Sequence, residues 1–339
     1  LWLALFGEDE VRKIRENLWV LISVLNNPTM TVFRRGTTFT VTDPGVGLLW
    51  HCRRRALRRL MAEQGVTRVE SVIPSHAHPD HIGALETLMQ EFGPVMRVFV
   101  SVWDRWMLLE PQTLPARMER NMADANDHFR PWFLRPLYGI YGILSRLMYG
   151  SGVKPWRQYR FSGLTIATLV DPESDRYPDL VFDGYQVHLF RNPGHCPGEL
   201  AMEVESLDGD QRTIVICGDI VVNDERGRNL YPSAYLPDGW LPDILVSLVA
   251  LLSLKPDVLI VTHSQPLVGR EYIHRRLTDS ANTVMAVADF AAILTILHPE
   301  WTLEELAKQT FREFGMKNIS TFGIYEKKTW VLPIFLGFR

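Results

Sequence analysis

The stretch Ser71–Leu85, SVIPSHAHPDHIGAL, decides the reading of this chain. It opens on a short apolar run with the look of a buried strand and closes on residues that suit a helix. Between them, His76, His78, Asp80 and His81 crowd into one tight loop. Imidazoles and carboxylates are good ligands for zinc and similar ions. Loops at strand ends are also where α/β folds place their chemistry. A lone histidine more often packs or faces solvent, but an H-x-H-x-D-H string has few structural explanations.

Working towards the N-terminus, Val11, Ile14, Leu18, Ile22 and Leu25 recur at spacings of three and four, which predicts a covering helix through Asn27. Residues Thr29–Gly45, TMTVFRRGTTFTVTDPG, are β-branched on either side of Arg35-Gly36 and break at Asp43-Pro44-Gly45. They predict a hairpin feeding a loop that carries an aspartate. Leu48–Gly65 is expected to be an amphipathic helix ended by Gly65. Its cationic cluster, Arg53, Arg54, Arg55, Arg58 and Arg59, reads best as a solvated face without a function.

Towards the C-terminus, the region from about residue 103 to 161 is rich in aromatics and arginines and reads as a mostly helical insertion. Strand-like YQVHLF, TIVICGD and DVLIVTHS follow, at residues 185–190, 213–219 and 257–264, alternating with loops and helices. A helical segment over about 270–325 contains a capping box from Thr302 to Glu305. One domain over 1–339 is expected, with no short-period repeat.

An apolar share of 46% with 22% charged residues is ordinary globular usage and argues against disorder. The net charge of -3 supplies no global attraction for a polyanion, so nucleic acid is not favoured as a partner. Three cysteines, Cys52, Cys196 and Cys217, make a disulfide framework improbable and point to a reducing compartment. Charged residues, prolines or asparagines interrupt every candidate for the roughly 20-residue apolar run of a membrane span. Cytoplasm is the expected localisation, provisionally, since Leu1 in place of Met leaves room for a processed or incomplete N-terminus.

Taken together, five motifs resemble those of the metallo-β-lactamase superfamily, in the family's order. Asp43 in TDPG resembles the first, His76 to His81 the second, His195 in NPGHCPGEL the third, Asp219 in VICGDI the fourth and His263 in LIVTHSQP the fifth. The resemblance implies an α/β (α+β) fold, a four-layer αββα sandwich with the metals at one edge of the sheets. It also implies one metal held by His76, His78 and His195, a second held by Asp80, His81 and His263, Asp219 bridging both, and Asp43 supporting the loop from behind. Two divalent ions are expected, zinc first, with iron or manganese as alternatives. Cys196 and Cys217 lie beside this set but are expected to be small buried hydrophobes. His51, His128, His188, His274 and His298 are expected to pack or face solvent.

What the resemblance implies for chemistry is hydrolysis, with a metal-bridged hydroxide attacking an electrophilic centre, Asp80 orienting it and Asp219 holding the metal separation. Dedicated β-lactamases of the family commonly replace the bridging aspartate, which this chain keeps. The lactonase group typically carries a tyrosine just after it, where this chain has Ile220–Asn223, although Tyr231 or Tyr235 could reach the site. The flavoprotein branch usually has glutamate where His78 stands. The expected substrate is a small molecule of apolar or aromatic character cleaved at a carboxylic ester, lactone or thioester. Trp103, Trp106, Phe129 and Trp132 are candidate contacts. The alternatives are a phosphodiesterase or nuclease, a promiscuous β-lactamase, or a non-catalytic metal-containing binding protein. A homodimer is compatible with all of these.

Overall fold

Strand pairing divides the molecule into two packed sheets. The computed structural model describes residues 8–23, 27–93, 96–105, 108, 164–169, 179–223, 230–232 and 241–313. The first sheet runs β1 (Glu10–Arg15), β2 (Leu18–Ile22), β3 (Met30–Arg35), β4 (Thr38–Thr42), β5 (Arg68–Ile73), β6 (Met96–Ser101) and β7 (Leu164–Leu169), in that spatial order. Its first four strands form an antiparallel meander, and β4 to β7 pair in parallel.

The second sheet contains β8 (Leu180–Phe182), β9 (Tyr185–Arg191), β10 (Leu200–Ser206), β11 (Ile214–Ile216), β14 (Val258–Ile260) and β15 (Leu267–Val268). Their spatial order is β15-β14-β11-β10-β9-β8. β12 (Val221–Asn223) and β13 (Leu230–Pro232) pair separately.

Side-chain alternation sorts the interior into three apolar layers. Leu18, Val20, Phe33 and Ile73 of the first sheet face Val187, Leu189, Met202 and Ile216 of the second. Behind the first sheet, Val32, Val41 and Val72 pack on Leu57 and Leu60 of α1 (Trp50–Gln64) and on Leu85 and Leu88 of α3 (Leu85–Phe92). Behind the second, Val215 and Leu259 meet Ile244 and Leu248 of α4 (Leu241–Leu254) and Ile273 and Leu277 of α5 (Arg270–Leu297). Helix, sheet, sheet, helix is the expected αββα sandwich.

The expected N-terminal helix is wrong. Residues 10–22 are a hairpin, with Arg15 opposite Leu18 and Asn17 in the left-handed region at φ 58°. Every residue of β2 is buried because its alternate side chains enter two different cores. Such a continuous apolar run carries no period of its own, so the three-and-four spacing was a coincidence.

A second correction concerns Arg53, assigned above to a solvated face. It is completely buried, donating through Nε to Asp9 at 2.8 Å and through Nη1 to the Asp43 and Pro44 carbonyls at 3.0 and 3.1 Å, and bonding the Pro28 carbonyl through Nη2. Arg55, Arg58 and Arg59 are exposed as expected. α1 ends where Gly65 turns left-handed at φ 63°.

α5 is long and apolar enough to cross a membrane by length and composition, which the interruption argument did not foresee. One stripe of it, including Ile273, Leu277, Val284, Val287, Ala291 and Leu294, is buried in the third apolar layer, while Met285, Ile293, Ile296 and Leu297 are exposed. α6 (Leu303–Glu313) opens on the predicted capping box, in which Glu305 accepts from the Thr302 N–H at 2.8 Å and Thr302 accepts from the Glu305 N–H at 3.3 Å. Almost all of the expected insertion, and the C-terminal segment beyond Glu313, lie outside the described residues.

Candidate metal centre

The loops after β4, β5, β9, β11 and β14 meet at one edge of the sandwich, and each brings a residue singled out from the sequence. In the β5 loop the order of ligands follows from Pro79. Proline disfavours helical backbone in the residue before it, so His78 stays extended at φ -68°, ψ 149°, and α2 (Pro79–Ile82) begins only after it. His78 therefore stays on extended backbone, while Asp80 and His81 lie on a helical turn.

Two sets of donor atoms result. In the first, His78 Nδ1 is 2.7 Å from His76 Nε2 and 3.0 Å from His195 Nε2. In the second, Asp80, His81, Asp219 and His263 each offer one atom, all within 4.8 Å of one another. His263 Nε2 is 3.5 Å from Asp80 Oδ2 and 3.3 Å from Asp219 Oδ2. Asp219 Oδ2 also lies 3.2 Å from His81 Nε2 and 3.9 Å from His195 Nε2, which places it between the sets.

The fit to cations can be judged from the nitrogens alone. Two imidazole nitrogens within 3.0 Å of a third cannot, together with it, all carry protons, and these two spacings approach the ~3.4 Å edge of a tetrahedron with Zn–N bonds of about 2.05 Å. Both sets suit a divalent ion.

Behind the candidate ligands, buried polar groups aim them. Asp43 Oδ1 accepts from the Ser75 N–H at 2.8 Å and from His81 Nδ1 at 3.0 Å, which leaves His81 Nε2 as the free donor atom. The backbone of Asp43 has a φ of 29°, a strained conformation retained at a position that orients a ligand. Thr262 donates its hydroxyl to Asp219 Oδ1, leaving Oδ2 for the imidazoles. Asp104, buried in the loop after β6, accepts from the Ala77 N–H at 2.7 Å, between His76 and His78. Glu199, fully buried, accepts from the main-chain N–H groups of both His195 and Asp219.

Sequence reasoning missed Thr262, Asp104 and Glu199. The one available signal was that Glu199 and Thr262 stand inside the motifs NPGHCPGEL and LIVTHSQP; Asp104 had none.

Protonation differs between the sets. Burial, reinforced by neighbouring imidazoles, holds His76 well below the usual histidine range and His78 at about 3. Burial also pushes His263 down, but Asp219 and Asp80 outweigh it and raise it to about 10; His81 is likewise raised by Asp219, Asp80 and Asp43. These charged imidazoles stabilise the metal-free fold fully below about pH 6.5, and that contribution is lost as pH rises through about 10. Ligation needs neutral imidazoles, so the second set must surrender protons on binding a cation while the first need not. We expect metal uptake near neutral pH to release protons and the second set to lose its ion first on acidification. Dye-monitored titration with zinc in weak buffer checks this; uptake without proton release contradicts it.

Cys196 is buried, with Sγ within 4.8 Å of donor atoms of His76 and His78. Because His195 already completes a three-nitrogen set, Cys196→Ala is expected to retain its full metal content by elemental analysis. Cys217 is buried away from solvent, as expected. His188 bonds Asp179 and Glu205, His298 stacks on Trp301, and His274 is exposed.

Among the candidate substrate contacts, Trp103 is half-exposed beside Asp104, with the Arg191 guanidinium 5.5 Å from its ring centroid. Tyr231 lies on β13, opposite Val222 of β12, the strand that follows Asp219. Trp106, Phe129, Trp132 and Tyr235 lie outside the described residues.

Comparison with known proteins agrees with this arrangement. The family model described as the metallo-beta-lactamase superfamily matches residues 26–263, a span that takes in all five motifs. The chain belongs to that superfamily. It is 23% identical over 231 residues to the probable metallo-hydrolase YflN of Bacillus subtilis (strain 168), covering 65% of this chain and 73% of that protein. An uncharacterized protein of Mycobacterium tuberculosis is 24% identical over 229 residues, covering 67% of this chain and 80% of the relative. The metallo-beta-lactamase family protein TTHA1429 of Thermus thermophilus shares the fold with a TM-score of 0.62 at 17% identity, over 95% of this chain and 93% of that one. A beta-lactamase domain protein from Burkholderia ambifaria also has a TM-score of 0.62, at 16% identity, over 96% and 86% of the two chains.

Proposed function

We propose that the chain is a hydrolase dependent on two divalent metal ions, zinc first among them, that cleaves a carboxylic ester, lactone or thioester in a substrate of apolar or aromatic character. The observation that carries this reading is the division of seven donor side chains into two sets sharing Asp219 Oδ2. His76, His78 and His195 would hold one ion, and Asp80, His81 and His263 the other, with Asp219 between them. Two such ions supply an activated water, a polarised carbonyl oxygen and stabilisation of the leaving oxygen.

The chain's own residues divide the remaining work. Burial penalises the charge on Asp80, but His81 and His263 outweigh that and keep it ionised. An ionised carboxylate only accepts hydrogen bonds, so Asp80 can orient a water by its proton. Its side chain is 31% exposed against 7% for Asp219 and none for His81, which puts it on the open side where a substrate would arrive. Asp219, fixed by Thr262, holds the two sets in register. Trp103 supports the substrate class as a half-exposed aromatic next to Asp104, whose carboxylate holds the Ala77 N–H between His76 and His78.

The test is turnover of an aryl ester, a lactone, a thioester, a β-lactam and bis-(p-nitrophenyl) phosphate by metal-loaded protein. Chelator-sensitive cleavage of the first three, restored by zinc, is expected. Preferential phosphodiester cleavage would overturn the substrate class, and full metal content with no turnover would favour a binding role.

A further inference from the structure

We propose that Glu199 is a positioning residue that sets the separation of the two metal positions by clasping the loop of His195 to the loop of Asp219. The proposal rests on the dinuclear reading above. Glu199 immediately precedes β10, and its main chain closes the β9–β10 loop: its carbonyl accepts from the Asn192 N–H at 2.8 Å and its N–H donates to the Cys196 carbonyl at 3.1 Å. From this fixed point the side chain reaches both neighbours. Oε2 accepts from the His195 N–H at 3.3 Å, and Oε1 accepts from the Asp219 N–H.

Gly218 shows how closely the second loop is held. It turns left-handed at φ 61°, and a Cβ there would run into the Glu199 carboxylate. The clasp therefore joins one residue of the first donor set to the residue that lies between the sets. With both backbones tied to one carboxylate, His195 Nε2 and Asp219 Oδ2 stand 3.9 Å apart.

The choice of glutamate calls for this explanation. Burial, reinforced by the Asp219 charge, pushes the Glu199 carboxyl well above the usual carboxylate range, and among the described residues no lysine or arginine forms a salt bridge with it. An apolar side chain would fill the space at less cost. A carboxyl group presents one oxygen to each of the two inward-pointing N–H groups, Oε2 to His195 and Oε1 to Asp219. Glutamine would satisfy one N–H and turn its own NH₂ towards the other.

The experiment compares wild type, Glu199→Gln and Glu199→Ala by chelator competition for the stepwise metal affinities, by the visible absorption of the cobalt-loaded proteins, and by thermal unfolding after chelation. Loss of affinity on the order of 10-fold for Glu199→Gln and about 100-fold for Glu199→Ala is expected, the range for partners behind a ligand. Altered cobalt bands in the folded variants should accompany it. A merely structural role would lower the unfolding temperature of the chelated protein and leave the bands of folded protein unchanged.

Should the alanine variant fail to fold, the near-isosteric glutamine variant carries the test. Folded Glu199→Gln with wild-type affinities and bands overturns the clasp alone. A wild type that binds no metal overturns the dinuclear reading and the clasp with it.

Discussion

Asp219→Ala is expected to strip the protein of metal and activity together. The substitution deletes the one oxygen, Oδ2, that lies 3.2 Å from His81, 3.3 Å from His263 and 3.9 Å from His195. It also deletes a buried negative charge facing a cluster of imidazoles, which no repacking of neighbours replaces. Changing a partner behind a metal ligand already costs about 10- to 100-fold in affinity, and losing an oxygen common to both sets should exceed that range. In the metal-free variant, removal of the carboxylate should also let burial pull His263 and His81 back down, since Asp219 is the chief influence raising both. Elemental analysis and NMR titration of the histidines check the two halves of this prediction. A fully metallated, fully active variant would remove Asp219 from its assigned place.

The second large effect belongs to Arg53, far from any ligand in sequence. Arg53→Ala leaves Asp9 buried without its cation and frees the Asp43, Pro44 and Pro28 carbonyls from their shared donor. Breaking a buried ion pair from one side typically costs about 3–5 kcal/mol, which corresponds to a fall in Tm of about 4–7 °C for a chain of this size. The damage should reach the metal centre as well, because the loop that Arg53 secures carries Asp43, and Asp43 aims His81. Adding Asp9→Asn should restore part of the stability, since it removes the stranded charge, but not the hold on the Asp43 loop. Thermal unfolding of the single and double variants measures this. A Tm within a degree or two of wild type for Arg53→Ala would show that the buried network contributes nothing.

The candidate metal-binding residues were legible because their chemistry is written in residue types at short spacing. Histidines and aspartates directly after apolar strands have little else to do, and the strands themselves announce their ends. The residues that aim them were not legible, because their roles depend on distances that close only in three dimensions. Asp104 touches the Ala77 N–H from another loop, and Glu199 reaches the Asp219 N–H across 20 positions. Arg53 looked like one more member of a cationic face, yet the turn of α1 directs it inwards while Arg55, Arg58 and Arg59 stay exposed.

The first hairpin was misread for a related reason. β2 is buried on both faces, so its five apolar residues show neither a strand nor a helix period. Its better signal was Asn17, a residue that tolerates the left-handed turn joining two strands. The β3–β4 hairpin was recognised because Gly36 marks its turn unambiguously, at φ 57°.

The central claim is that two sets of donors sharing Asp219 hold two metal ions. Elemental analysis of the purified protein, repeated after chelation and reloading with zinc, tests it most directly. Two equivalents of metal per chain, reduced in Asp219→Ala and intact in Cys196→Ala, are the predicted result. One equivalent or none in the reloaded wild type would contradict the seven-residue assignment and the hydrolytic chemistry built on it.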